Sequence, residues 1–426
     1  MKQIVYELKS QPVIAAVTII GTALAIFLIM VVVMLQQVKL ISIAPESDRD
    51  RMLYVSGAFF SKGQSSGNYA LSAAVAKELG EDLPGTESVA IMDNYINSSV
   101  VSAVGRPAFD ANVRQTDAGF FDTYNFRFIA GHPYNEADVN SHLNKAVISE
   151  STAREVAESP EAAVGKEITL DDVTYTIVAV VADVSPVTDK VFAQIWIPLA
   201  EEDPTDFWTS VGLGKKQLAI KARSADDFQK IYDEVSRRVD IIISRHPEDE
   251  EFSFNIEGAP YAQEAETLHY SGRRPDLAHD RSQRLIVYAI LLLIPAINLS
   301  SMTRSRLRRR VSEIGVRRAF GCTRTKVMLD ILIENFFITL IGSLIGLLAC
   351  IIFGSTLFDA IYTGGSFMVF SNVTAVATVG FSSLLNWSMF AYAVLFCFIL
   401  NLLSTGIPAW RASRVNPVEA ILSSNR

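Results

Sequence analysis

The stretch Met302–Lys326 holds nine Lys or Arg residues, including Arg308, Arg317 and Arg318, against a single acid, Glu313. Within it Leu307, Val311, Ile314 and Arg318 recur at helical spacing, so one apolar stripe is flanked by arginine. Gly315 weakens a single continuous helix, and Gly321 is placed to cap its C-terminus. A short basic helix ending in a glycine turn suits docking into a groove on a partner. It equally suits a solvated face or contact with anionic lipid. None of these makes or breaks a covalent bond.

Other candidates for chemistry are sparse. The histidines at 132, 142, 246, 269 and 279 include no HExxH pair and no pair at metal-ligand spacing. No GxSxG nucleophile elbow occurs. The acidic run Glu248–Glu251 reads as a solvated loop before it reads as a cation site. Gly212-Leu-Gly-Lys-Lys lacks the GxxxxGK[ST] spacing of a phosphate-binding loop. The sequons at Asn97 and Asn372 are too short to carry weight. The expectation is therefore a chain that is not an enzyme and binds no metal or cofactor itself.

What holds the basic segment is legible from the apolar content. Half of the chain is hydrophobic and a fifth is charged. The hydrophobic residues concentrate in 13–35, 285–302, 331–353 and 387–410. A bilayer core about 30 Å thick takes about 20 apolar residues as a helix, so four membrane helices are expected. Val13–Leu35 carries no charge and ends in bulky residues without a small-x-small site, so it reads as an anchor and not a cleaved signal. Gly342-Ser-Leu-Ile-Gly346 offers a small-xxx-small face for close helix packing, and Pro295 can kink the second helix. Glu334 and Asn335 open the third helix near an interface, and no charge falls at mid-membrane, so the sequence offers no sign of a polar solute path through the helices.

The positive-inside rule puts the basic segment in the cytoplasm. The tail agrees, with Arg411, Arg414 and Arg426 against Glu419, and the loop 355–386 has Asp359 as its one charge. Both termini are then cytoplasmic and residues 42–283 lie outside. That outer stretch carries 21 basic and 38 acidic residues between 42 and 275, a net of −17 hidden within the overall −8. Such an acidic surface disfavours nucleic acid as a partner. Its lack of cysteine means it holds together by core burial alone.

Short or alternating apolar runs place strands at Ser88–Ile91, Ala111–Gln115, Lys145–Ser149, Ile168–Leu170, Tyr175–Val181, Gln194–Ile197 and Gln217–Lys221. Helical patterns fit Tyr69–Leu79, Ser149–Ala157 and Ala225–Arg245. The expected fold class is a membrane α-helical protein of four transmembrane helices, with a large α+β extracytoplasmic domain inserted between helices one and two. The segments run as 1–12 (cytoplasmic), 13–41 (first helix and extension), 42–283 (outer domain, with an inserted part about 111–211), 284–303 (second helix), 304–326 (basic cytoplasmic segment), 327–354 (third helix), 355–386 (outer loop), 387–410 (fourth helix) and 411–426 (cytoplasmic tail).

Glu313-Ile-Gly-Val-Arg-Arg-Ala-Phe-Gly-Cys-Thr-Arg resembles the signature of the FtsX/MacB superfamily of ABC-transporter membrane subunits. Leu293-Ile-Pro-Ala-Ile-Asn-Leu-Ser, Leu332-Ile-Glu-Asn-Phe-Phe-Ile-Thr-Leu-Ile-Gly and Pro408-Ala-Trp-Arg-Ala-Ser-Arg-Val-Asn-Pro-Val-Glu-Ala-Ile are similar to it too. Ala146-Val-Ile-Ser-Glu-Ser-Thr-Ala-Arg, Ala163-Val-Gly-Lys, Tyr175-Thr-Ile-Val-Ala-Val-Val-Ala-Asp-Val and Gln194-Ile-Trp-Ile-Pro-Leu resemble the MacB-like periplasmic core domain. The motifs are individually degenerate, and their order along nearly the whole chain carries the likeness.

The resemblance implies a dimer, with a second copy or a homologue, whose cytoplasmic coupling helix at about Arg304–Gly321 sits on a separate ABC ATPase subunit. By position, Arg308, Glu313, Ile314, Gly315, Arg317, Arg318 and Gly321 would contact or shape that interface. ATP and Mg would be bound by the ATPase. A periplasmic adaptor and an outer-membrane duct are further partners it allows, in a bacterial inner membrane with the large domain in the periplasm. The work done outside would be efflux of a drug, peptide or other periplasmic substrate; lipoprotein release and switching of a cell-wall hydrolase are the alternatives.

Overall fold

The computed structural model describes residues 12–37, 39–62, 65–200, 213–245, 253–269, 274–291, 293, 320–356, 390–392, 394–395 and 398–399. The chain divides into two compact units: Met1–Val38, Ala278–Asp359 and Gly380–Arg426 form one, Lys39–Leu277 and Ala360–Val379 the other.

In the first unit, helix α1 (Pro12–Gln37) is apolar on every face. Among the described residues one helical stretch, Phe336–Phe353, is long and apolar enough to cross a membrane, and Ile19–Met34 is a shorter apolar helix. A further helix covers 277–291. Most of the expected second and fourth membrane helices, and nearly all of the outer loop 355–386, lie outside the described residues.

The second unit is α+β. Strand β1 (Met52–Val55) lies between β13 (Lys216–Ala222) and β15 (Tyr261–Ala262), and β13 pairs antiparallel with β4 (Thr86–Asp93). Alternation sorts the side chains to two faces. Leu53, Val55, Leu218 and Ile220 face one apolar cluster, whereas Met52, Tyr54 and Ala219 face another. The first face is covered by α2 (Ala73–Gly80) and α7 (Phe228–Ser244). Helix α7 presents Ile231, Val235, Val239 and Ile242 as one buried stripe, and Arg245 bonds to Glu78 at 2.6 Å on the exposed side. Strands β2 (Ala58–Lys62), β3 (Ser65–Leu71) and β14 (Ser253–Asn255) extend the sheet.

The rest is a closed ring. Strands β5 (Asn97–Ala103), β6 (Phe109–Thr116), β8 (Lys145–Ser149), β9 (Glu167–Leu170), β10 (Val173–Val181) and β11 (Ile195–Pro198) follow the order β11-β8-β10-β9-β5-β6, and β11 also pairs parallel with β6. Closure leaves no free edge in the ring. Its interior holds Val101, Val113, Ile148, Ile168, Ile177, Val180 and Ile195, all buried. β7 (Phe128–Gly131) pairs with the end of β10.

Six of the seven strands expected from sequence fall within one of these elements, and the seventh, Gln194–Ile197, starts one residue before β11. One expected helix starts too early: Tyr69–Leu71 ends β3, and helix α2 begins at Ala73. The Ser72 hydroxyl accepts the Val75 N–H at 3.2 Å, so this N-cap sets the helix start; before it Tyr69 pairs with Ala58 of β2, and Ala70 and Leu71 pair with Gly214 and Leu213. Helix α5 (Glu150–Val156) is likewise capped by Ser149, whose hydroxyl accepts from Thr152.

Candidate functional site

Of the residues expected to form the coupling segment, Arg308, Glu313, Ile314, Gly315, Arg317 and Arg318 lie outside the described residues, as does Pro295. Gly321 is described. Its φ of +90° belongs to the left-handed region that glycine enters without strain, and no atom of the described residues lies within 4 Å of where a Cβ would stand. Thr323 follows, its hydroxyl accepting the Lys326 N–H at 3.4 Å, and α9 (Arg324–Thr356) begins there. Beside the glycine, Phe320 is 88% exposed. The arginine-rich stretch thus ends in a glycine turn that leads directly into α9.

Gly342 and Gly346 face α1. A Cβ on Gly342 would lie 2.8 Å from Thr22 Cβ, and one on Gly346 would lie 2.5 Å from the Ala23 carbonyl oxygen and 3.0 Å from Ile26 Cβ. One turn of spacing between the two glycines lets α1 approach α9 at the level of the backbone. Around this contact Ile26, Ile29, Met30 and Cys350 are buried, and Phe27 meets Phe353 edge-on at 5.6 Å.

The outer unit holds a buried polar network that connects the residues following α1 with those leading toward helix 277–291. Glu46 and Arg49 form a fully buried ion pair at 2.7 Å. The other Glu46 oxygen accepts the backbone N–H groups of Lys190 (3.0 Å) and Val191 (3.2 Å). Arg49 donates to the carbonyls of Ile41 (2.9 Å) and Val187 (3.0 Å). Lys190 Nζ then pairs with Glu266 at 2.6 Å, on helix α8 (Gln263–Glu266), and donates to Gln217 Oε1 at 3.0 Å. Ser56 donates to the same Glu266 oxygen, and Gln263 donates to the Lys39 carbonyl at 2.9 Å.

Desolvation works against the charges on both Lys190 and Glu266. Even so, Glu266 and Asp189 hold the lysine above its ordinary pKa, and Lys190 holds the Glu266 carboxyl below its own. Both ions therefore stay charged. Desolvation raises the Glu46 carboxyl, with Arg49 opposing it. In the sequence, Glu46 and Arg49 stand at i,i+3 and could have been suspected. Lys190 and Glu266 are 76 residues apart and carry no shared signal.

A cleft of about 640 Å³ opens on the same unit, lined by Lys77, Ile91, Asp117, Phe121, Tyr134 and Leu199 among others. Desolvation pushes the Asp117 carboxyl up to about 7, against hydrogen bonds from backbone N–H groups at Ile91 and Phe120. Among the described residues no group of His, Cys, Asp or Glu side chains could hold a metal ion. The acidic run 248–251 is outside them.

Two family models match this chain. The MacB-like periplasmic core domain covers residues 15–238, more than half of the length, and the FtsX-like permease C-terminal region covers 285–417. The chain belongs to the FtsX/MacB family of ABC-transporter permeases.

This permease is 24% identical over 304 residues to the macrolide export ATP-binding/permease protein MacB of Burkholderia cenocepacia, covering 71% of this chain and 40% of the relative. It is 22% identical over 340 residues to the ABC transporter permease YknZ of Bacillus subtilis, covering 80% of this chain and 77% of that one. It thus spans about 40% of the length of the Burkholderia MacB relative. A solved extracellular domain of YknZ overlaps 48% of this chain and 98% of its own at 13% identity, with a TM-score of 0.33, too low to bear on the fold. The assignment rests on the family models.

Proposed function

We propose that this permease transmits ATP-driven motion from a separate ATPase subunit to its outer domain, for efflux of a drug, peptide or other substrate on the far side of the membrane. The observation that carries the reading is the order of its parts: an outer α+β domain that follows an apolar helix and precedes an FtsX-like permease region. Residues 1–426 contain no GxxxxGK[ST] loop, and in this reading a separate ATPase subunit supplies the nucleotide chemistry.

In this scheme four membrane helices place both termini and the segment 304–326 in the cytoplasm of a bacterial inner membrane. Two permease chains stand side by side. ATP binding closes the partner ATPases, and the coupling helix ending at Gly321 moves with them. Arg308, Glu313, Ile314, Gly315, Arg317 and Arg318 form the contact. Because Gly321 leads straight into α9, whose glycines seat α1, displacement of the turn reaches the first helix without a polar path between the helices. An adaptor and an outer-membrane duct complete the export route. ATP and Mg stay with the ATPase.

The test is ATPase activity of the permease reconstituted with its ATPase in lipid nanodiscs. Gly315→Trp or Arg318→Glu abolishes the permease-stimulated rate while α1–α9 packing, read by thermal melting, is retained. Stimulated activity equal to wild type removes the coupling role.

A further inference from the structure

The connection between β10 and β11, residues 182–194, joins two strands of the closed ring. Residues 187–191 of this connection receive ties from both ends of the outer unit. From the end that follows α1, Glu46 accepts the Lys190 and Val191 N–H groups and Arg49 donates to Val187. From the end that precedes helix 277–291, Glu266 takes the Lys190 ammonium at 2.6 Å. Gln263, one turn before Glu266, is itself bonded to the Lys39 carbonyl. The two crossings are therefore clasped together and held on one connection of the ring.

We propose that Lys190 is the positioning residue through which movement of the segment entering helix 277–291 is delivered to the closed ring. Three features argue for this. First, the Lys190–Glu266 pair is nearly buried, with side chains 12% and 6% exposed, so it cannot exchange freely for water as a surface pair does. Second, Lys190 does two jobs at once: its backbone N–H belongs to the Glu46 side and its ammonium to the Glu266 side, so the two crossings converge on one residue. Third, Glu266 Oε2 is buried with no hydrogen-bond partner among the described residues. Its carboxylate is held by a single oxygen, and a small rotation brings a second acceptor into play. Discrete rearrangement of this kind is what a mechanical relay needs. The segment 45–48 also bonds to Asn125 and Lys221, so the first crossing has further anchors, whereas helix α8 meets the ring connection at Lys190.

This inference rests on the mechanical reading above, and one experiment separates the two. Hydrogen exchange is followed by mass spectrometry on the full chain reconstituted with its ATPase in nanodiscs, with and without a non-hydrolysable ATP analogue. In wild type the analogue changes exchange in both 263–269 and 183–194. Lys190→Met keeps the change in 263–269 and cuts that in 183–194 at least five-fold; Lys190→Arg, which still reaches Glu266, restores it. Glu266→Gln, which keeps the shape without the charge, gives the intermediate response. A Lys190→Met chain whose 183–194 segment responds as in wild type, or an Arg variant no better than Met, overturns the relay and leaves the mechanical reading intact. A wild-type chain whose 263–269 segment ignores the nucleotide overturns both.

Discussion

A methyl group placed on Gly346 would stand 2.5 Å from the carbonyl oxygen of Ala23, so α9 and α1 touch through backbone at this level. Gly346→Leu should force the helices apart and, by the usual cost of overpacking, lower stability by about 1–3 kcal/mol or more. Gly342→Ala should be milder, because its nearest neighbour is the Thr22 side chain, though the Ile19 carbonyl at 3.0 Å leaves little slack. Melting temperatures of the purified chain in detergent rank the two; equal effects would refute the backbone contact.

The Glu46–Arg49 pair is buried on both sides. Removing one partner strands a charge out of water, at about 3–5 kcal/mol. Arg49→Met and Glu46→Gln should each destabilise the outer unit to that extent. The double variant should recover part of the loss, since no unpaired charge remains. Urea unfolding followed by tryptophan fluorescence measures all three, Trp196 lying in the core of that unit.

Asp117 gives the outer unit a pH dependence of definite sign. Its folded pKa, about 7, lies above its ordinary value of 3.8 because of desolvation. The folded state thus holds the proton more tightly than the unfolded chain. Its stabilisation is complete below about pH 4, declines as pH rises, and is gone above about pH 7. At 1.36 kcal/mol per unit the swing is at most about 4 kcal/mol. Asp117→Asn keeps an oxygen to accept the Phe120 N–H and should flatten this part of the stability curve between pH 4 and 7. A variant with the wild-type slope would refute the assignment.

Sidedness can be read from two cysteines. Native Cys322 sits in the turn after Gly321, and Val104 is 98% exposed on the outer unit. With a membrane-impermeant maleimide on intact cells, Val104→Cys should react and Cys322 should not. Cys322 should react once the membrane is opened. Labelling of Cys322 from outside would reverse the proposed orientation and detach the coupling segment from any cytoplasmic ATPase.

Much of the outer domain could be read in advance. The apolar runs at Lys145–Ser149 and Tyr175–Val181 are strands because β-branched residues crowd there, and the stripe Ile231, Val235, Val239, Ile242 declares α7 by its period. No expected strand covers β1, β2, β3, β5, β7, β14 or β15. Asn97–Ala103 and Ser65–Leu71 are rich in polar and small residues, and they are strands because their neighbours pair with them. The expected helix over Tyr69–Leu79 failed at its start for the same reason.

Composition and charge by themselves determined that apolar stretches flank a long acidic one, and where the arginines gather, since hydropathy and net charge are sums over local residues. The tertiary structure decided that β11 returns to pair with β6 and close the ring, and that Lys190 meets both Glu46 and Glu266. Those partners lie 144 and 76 residues away in the chain. Pairing over such distances depends on which strands lie side by side, and that is settled by the burial of whole faces at once, which no local pattern records.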